Sequence, residues 1–264
     1  MTVYAVASGK GGVGKTIFTL NAGAALSEMG LKTLIIDCDI AMADLGQVVN
    51  VDSKTEHSLH EVLTSEVNSE DVITHTSYGL DAILSSVSIM GFLQADMGKL
   101  SEVVKDVVER YDFILLDTAT GISQESLIPL MICDEVILIV NPEFPSIVDA
   151  QKMRLIAENM GKRVRGVVIN RVSGIKKELG AKKVEELLEL DILGVLPEDK
   201  NMVSAVTSKI PLVIKEPNSP AAKVIKEVVK GIAKKEEEGE RKEGEDKGVD
   251  EEEKKGRKLF GRKE

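Results

Sequence analysis

The chain has 264 residues, 43% of them hydrophobic and 30% charged, with a net charge of −10; this is enough for one large α/β domain with a buried core and short for two full domains. Trp is absent and aromatics make up only 3%, which excludes a single-stranded nucleic-acid platform of stacked rings, and the acidic total gives no sign of non-specific DNA binding. Two distant cysteines, Cys38 and Cys133, exclude a disulfide scaffold or a four-cysteine metal site within one chain. With no apolar run of membrane-spanning length and no basic leader, a cytoplasmic, reducing location is the default.

In chain order, apolar runs of strand length alternate with helix-period segments. Val3–Ala7, Thr33–Ile36, Phe113–Leu116, Val136–Val140, Val167–Ile169 and Ile192–Leu196 are nearly continuous and rich in branched residues, as strands buried on both faces of a parallel sheet are. Between the first two, Lys15–Met29 reads as a helix closed by Gly30. Met97, Leu100, Val103, Val104, Val107, Val108 and Tyr111 repeat at the helical period. A last helix opens at Ser219-Pro220, with Ser as the cap and Pro at the first helical position. Alternating βα units of this kind predict a doubly wound, mostly parallel α/β sheet flanked by helices.

The charge pattern places the domain at residues 1–235. From Glu236 to Glu253 there are eleven acidic and three basic residues. That composition buries too little surface to offset ordering entropy, so 236–253 reads as a disordered acidic linker. Residues 254–264 form a short tip with six basic residues around Leu259 and Phe260.

The predicted strands run into Gly9-Lys10, Asp37, Asp117, Asn141, Asn170 and Pro197-Glu198. In a parallel sheet these ends share the edge where ligands bind. The first of them opens Gly9-Lys10-Gly11-Gly12-Val13-Gly14-Lys15-Thr16, a complete G-x-x-x-x-G-K-[ST] phosphate loop between a strand and a helix. Its glycines let backbone N–H groups turn toward phosphate oxygens, with the helix N-terminus adding favourable partial charge. Lys15 reaches the β- and γ-phosphates and Thr16 offers a hydroxyl to Mg²⁺. Asp39, just past the second strand, can orient an attacking water or hold Mg²⁺-bound water, and Asp117 follows four apolar residues as a magnesium-holding acid does.

Lys10 is not needed for the turn, and with it Lys10-Gly11-Gly12-Val13-Gly14-Lys15-Thr16 resembles the deviant Walker A motif of the MinD/ParA family of P-loop ATPases. Asp37-Cys38-Asp39 resembles the D-x-D segment of the MinD type. Asp117-Thr118-Ala119-Thr120-Gly121 resembles its D-x-P-A-G switch, with Ala119 and Thr120 in place of Pro and Ala. Asn141-Pro142-Glu143 and Pro197-Glu198-Asp199 match MinD segments more than ParA ones. The resemblance runs from residue 2 to about residue 233. It implies ATP and Mg²⁺ as ligands and an ATP-sandwiched homodimer in which Lys10 touches the partner's phosphates. It further implies that Asp39 orients water, that Ile17 and Gly121 join the nucleotide contacts, and that Asn170, Arg171, Pro197 and Glu198 form the adenine pocket.

The function implied is an ATP-dependent dimerisation switch with slow hydrolysis, used in spatial regulation such as placement of a division site and answered by a regulatory protein partner. The alternatives are a ParA-like DNA-partitioning ATPase and a metabolic or redox enzyme on the same scaffold. Residues 1–233 carry 23 basic against 32 acidic residues, which weighs against the first. Cluster cysteines are missing from the redox pattern, which weighs against the second. MinD proteins often end in a membrane-inserting amphipathic helix; the basic tip reads either as a weak contact to an anionic membrane surface or as a solubilising tail. His57 and His60 read as surface or capping histidines beside a Ser58-x-x-Glu61 capping box, and both cysteines as small buried hydrophobes, with Cys133 in an apolar helix.

Overall fold

The computed structural model describes residues 1–52 and 57–234; the predicted linker and basic tip lie outside the described residues. The chain divides into a compact unit, Met1–Val229, and a second unit from Lys230 onward.

Eight strands form one sheet. They are β1 (Thr2–Ala7), β2 (Thr33–Asp37), β3 (Ile73–His75), β4 (Asp81–Ile83), β5 (Phe113–Asp117), β6 (Glu135–Val140), β7 (Arg163–Val172) and β8 (Ile192–Pro197). The helices in chain order are α1 (Lys15–Glu28), α2 (Leu45–Val48), α3 (Leu59–Leu63), α4 (Ile89–Gln94), α5 (Leu100–Val107), α6 (Gln124–Ile132), α7 (Phe144–Asn159), α8 (Ala181–Leu188), α9 (Asn201–Ser208) and α10 (Leu212–Lys215). A terminal helical segment opens at Pro220, after the predicted Ser219 cap.

The strand order is β3-β4-β2-β5-β1-β6-β7-β8. Every adjacent pair is parallel except β3 with β4. β1 lies in the middle because all six of its residues are buried, so it is covered on both faces. Each fully buried Val, Leu or Ile contributes roughly 1.5–3 kcal/mol relative to exposure. From β1 the chain crosses over β5 to β2, and later strands add on the other side through β6. The winding direction therefore reverses at β1, and the crevice at its C-terminal end is where such sheets bind ligands.

The six predicted strands are all present, each extended by one to several residues. β3 and β4 have only three residues each, too few for alternation to stand out from a loop. The predicted helix through Tyr111 is broken into a 3₁₀ turn Met97–Lys99, α5, and a second 3₁₀ turn Val108–Arg110. Its apolar stripe is still buried, from Met97 through Val107 to Tyr111. Cys133 is not within a helix: its extended backbone ends α6, and its Sγ donates to Leu130 O at 3.3 Å. His60 is not at the surface; only 2% of it is exposed. The Ser58–Glu61 capping box is present at the start of α3.

Helix α1 settles directly onto the sheet at Gly23. A Cβ there would lie 2.9 Å from Ile35 Cγ2 and 3.0 Å from Leu80 Cδ1. Since α1 carries Lys15 and Thr16 at its start, this contact sets the height of the phosphate loop over the sheet. Gly23→Val should therefore lower stability by about 1–3 kcal/mol, the usual cost of overpacking. The measurement is a urea unfolding midpoint; an unchanged midpoint would show that α1 tolerates displacement.

A phosphate loop facing buried carboxylates

β1 ends at Ala7, and the chain turns back through residues 8–14 before α1 begins. Ser8 Oγ donates to Lys10 O at 2.8 Å and steadies the turn. Two glycines are obligatory for different reasons. At Gly9 a Cβ would lie 2.3 Å from the carbonyl oxygen of Asp149, a backbone atom that cannot yield. Gly14 has φ +98°, and a Cβ there would lie 2.4 Å from Asn170 Nδ2. Gly14 is also the N-cap of α1, with no side chain capping it and no acidic residue in the first turn. The first N–H groups of α1 are thus left for an anion.

Lys15 is only 6% exposed. Burial lowers its pKa, and the nearby carboxylates of Asp117, Asp39 and Asp44 oppose that shift. β2 and β5 pair in register so that Asp37 and Asp117 stand on the same rung. Both are buried. Burial raises Asp117 to about 6, against hydrogen bonds from Thr16 and Thr19 and the charge of Lys15. Asp37 is raised well above the carboxylate range by burial, then by Asp117 and Asp39. Its Oδ2 has no hydrogen-bond partner. Two buried acids, one with an orphaned oxygen, beside the Thr16 hydroxyl suit a divalent cation, which would neutralise both. Among the described residues no group of three His, Cys, Asp or Glu is arranged to hold a metal by itself. Here the donor set is a hydroxyl and carboxylates, the hard oxygens that Mg²⁺ takes together with phosphate and water.

Asp39 follows on the loop after β2 and is half-buried. Its N–H donates to Asp37 Oδ1 at 3.3 Å, and its Oδ1 accepts from Met42 N–H at 3.2 Å. Burial raises its pKa, with Lys15 opposing. A cavity of about 240 Å³ opens beside it, lined by Gly12, Gly14, Lys15, Thr16, Ile17, Asp39 and, from outside the motifs, Asp44, Gln47 and Val48. Thr120 lines it too, whereas Gly121, with φ +76°, does not. A second cavity of about 210 Å³ shares Gly14, Ile17 and Arg171 with the first. Asn170, Pro197, Glu198, Asp199 and Met202 also line it.

The second cavity's walls are tied to the loop. Asn170 Nδ2 donates to Val13 O at 2.7 Å, and its Oδ1 accepts from Arg171 N–H at 2.9 Å. Arg171 has a left-handed φ of 57°. Glu198 N–H donates to Val172 O at 2.9 Å, closing β8 onto β7. Four residues that are far apart in sequence from the phosphate loop are thereby brought beside it. One Asn170 amide hydrogen is used on the loop, which ties this wall to it.

Gly9, Lys10, Gly11 and Val13 line neither cavity. Lys10 points elsewhere: its Nζ donates to Glu143 Oε1 at 2.6 Å, with the two side chains 42% and 47% exposed. Motif reading does not single out Asp44, Gln47 or Met202, and it notes Glu143 only within the Asn141-Pro142-Glu143 segment, not as the partner of Lys10. It places Asp37 as a strand end and as the first acid of the Asp37-Cys38-Asp39 segment, without a role in the site.

A glycine-rich loop at the winding reversal of a parallel sheet, a buried lysine, and a hydroxyl facing paired acids define a P-loop nucleotide-binding domain. Residues 4–212 match the CobQ/CobB/MinD/ParA nucleotide binding domain, and the chain belongs to that family. Two uncharacterized ATP-binding proteins of Methanocaldococcus jannaschii are similar to it. One is 39% identical over 85% of this chain and 84% of its own length, the other 37% identical over 88% of each. Among solved structures, the cell division ATPase MinD of Pyrococcus furiosus has a TM-score of 0.85 at 32% identity, covering 88% of this chain and 98% of its own. The septum site-determining protein MinD of Pyrococcus horikoshii, complexed with Mg-ADP, has a TM-score of 0.84 at 31% identity, covering 88% and 95%.

The raised acid gives a signed prediction. A carboxyl whose folded pKa exceeds its unfolded value stabilises fully below the unfolded pKa. That contribution is lost as pH rises through the folded one. Asp117, raised from 3.8 to about 6, therefore burdens the metal-free fold above pH 6. Asp117→Asn should raise its stability at pH 8 by about 1–3 kcal/mol, and the gain should vanish near pH 4. Thermal melts without Mg²⁺ or nucleotide across this range check it; a gain independent of pH would place the Asp117 carboxyl in the ordinary range.

Proposed function

We propose that the protein is an ATP-dependent dimerisation switch with slow hydrolysis. In this reading the first cavity takes the phosphates and the second the adenosine. Lys15 and the free N–H groups of α1 hold the β- and γ-phosphates. Thr16 and Asp117 would hold Mg²⁺, with Asp37 behind them, and the ion supplies charge neutralisation at the phosphates. Asp39 orients a water for in-line attack on the γ-phosphorus. The bond to the β,γ-bridging oxygen breaks, leaving ADP and inorganic phosphate.

The observation that carries the dimer is the direction of Lys10. Lys15 already occupies the phosphate cavity of its own chain, and Lys10 stands outside it with 42% of its side chain exposed, its ammonium paired with Glu143. An exposed ion pair of this kind is worth about 0–1 kcal/mol, so releasing Lys10 toward a second copy costs little. Output is then the location, or the partner occupancy, of the ATP-bound pair. The likeness to MinD proteins favours placement of a division or polar site. A regulatory protein partner that stimulates hydrolysis belongs to the same reading.

The two lysines separate binding from assembly. Lys15→Ala should abolish ATP binding. Lys10→Ala should bind ATP as a monomer and lose both dimerisation and turnover. Light scattering with ATP, alongside a binding titration, distinguishes the two; a Lys10→Ala protein that dimerises and hydrolyses normally overturns the switch.

Asp39→Ala should hold ATP in a stable dimer, because phosphate and cation contacts persist while water orientation is lost. Turnover should drop at least about tenfold, within the range for loss of a proton-directing group. Unchanged phosphate release would move the role to another residue.

A further inference from the structure

Among the buried titratable side chains that the mechanism does not use is a histidine. His60 of α3 is 2% exposed, and both of its ring nitrogens are engaged. Nδ1 lies 3.3 Å from the backbone N of Ser86, just past β4. Nε2 lies 3.2 Å from the carbonyl oxygen of Ile40. A backbone N–H can only donate, so Nδ1 must carry a lone pair. The neutral ring then bears its proton on Nε2 and donates it to Ile40 O. Burial holds His60 below the ordinary histidine pKa, against its bond to Ile40 and the neighbouring Glu61 charge, which keeps this neutral form at physiological pH.

Ile40 is the residue after Asp39. The turn it belongs to is short: Ala43 N–H donates to Asp39 O at 2.8 Å, and Ala43 has a left-handed φ of 49°. Asp39 Oδ1 takes the N–H of Met42 at 3.2 Å. Among the described residues, Ile40 O on His60 is the carbonyl bond from this turn to the body of the protein, beside the buried Ile40 side chain. Behind His60 the support is rigid. Ser86 Oγ lies 3.1 Å from Ser58 Oγ, which bonds Glu61 Oε2 at 2.5 Å. Ser85 Oγ donates to Asp37 O at 2.8 Å. The ring is also gripped by α4, where a Cβ on Gly91 would come 2.9 Å from His60 Cδ2.

We propose that His60 is a positioning residue for ATP hydrolysis: through the Nε2–H to Ile40 O bond it anchors the turn that aims the Asp39 carboxylate at the phosphate cavity. This rests on the reading of Asp39 as the water-orienting group. A backbone shift of about 1 Å at such a turn can lower a rate by as much as about a hundredfold. The effect belongs to kcat, because the phosphate loop and the adenosine cavity do not touch His60.

The two nitrogens can be tested apart. His60→Gln places an amide donor near the Nε2 position, and His60→Asn places an acceptor near Nδ1 and leaves Ile40 O without a donor. The expected result is that Gln keeps turnover within about twofold of wild type, while Asn loses about tenfold or more in kcat with the KM for ATP unchanged. Melting temperatures on the same samples separate this from a loss of fold. Nitrogen-15 spectra of wild type, with only three histidines in the chain, should show one neutral ring protonated at Nε2; an Nδ1-protonated ring overturns the proposal even if both variants unfold. Asn with wild-type kcat, or equal losses in Asn and Gln, also overturns it. Asp39→Ala serves as the control. If it retains full turnover, the role of Asp39 fails and takes this proposal with it. If it loses turnover while His60→Asn keeps it, only the anchor fails.

Discussion

Burying two carboxylates side by side is costly unless something positive answers them. Asp37 and Asp117 are placed on one rung by the parallel pairing of β2 and β5, and only Lys15 lies within reach as a fixed cation among the groups that shift Asp117. One positive charge cannot satisfy two buried acids and the nearby Asp39. The remainder is left to a ligand that brings its own cation. The orphaned Oδ2 of Asp37 and the upward pull on all three acids express the same unfinished balance. Such a site is unfavourable when empty and gains most from a magnesium-bearing polyphosphate, which adds positive charge at the acids and negative charge at Lys15.

The parallel sheet makes this balance possible. Its strands end on one edge, so residues as far apart in sequence as Gly14 and Ala221 meet around the loop between β1 and α1. Asn170, from the end region of β7, is bonded to Val13. The β7–β8 wall of the second cavity therefore follows the phosphate loop as one body. Across the loop, α2 closes the first cavity with Gln47 and Val48. The site is stiff where it would hold phosphate and base. It is soft at Lys10, whose ion-pair partner among the described residues is an exposed glutamate.

The turn after β2 stands between these extremes. Asp39 lines the first cavity from this turn, while Ile40 and Ala43 are buried. The Asp37 and His60 bonds are what connect it to the sheet and to α3. A histidine is well suited to this place because a neutral ring offers one donor and one acceptor in a fixed plane, and Ser86 and Ile40 present the opposite pair.

Much of this was legible in the amino-acid sequence. The continuous apolar runs marked six strands buried on both faces, and the phosphate loop located the site, because its glycines, lysine and threonine act through local backbone geometry and neighbouring positions. The carboxylates after β2 and β5 were legible too, since strand ends in a parallel sheet must share an edge. Tertiary structure alone decided the rest. β3 and β4 exist because of pairing with β2, and three residues carry no period of their own. Whether Lys10 enters its own cavity depends on where the cap of α7 places Glu143, 133 residues away. Whether His60 is a surface cap or a buried anchor depends on α4, β4 and the β2 turn converging on it. Local chemistry is written in short spacings, whereas the direction of a side chain and the company it keeps are set by contacts between elements that the linear order does not encode.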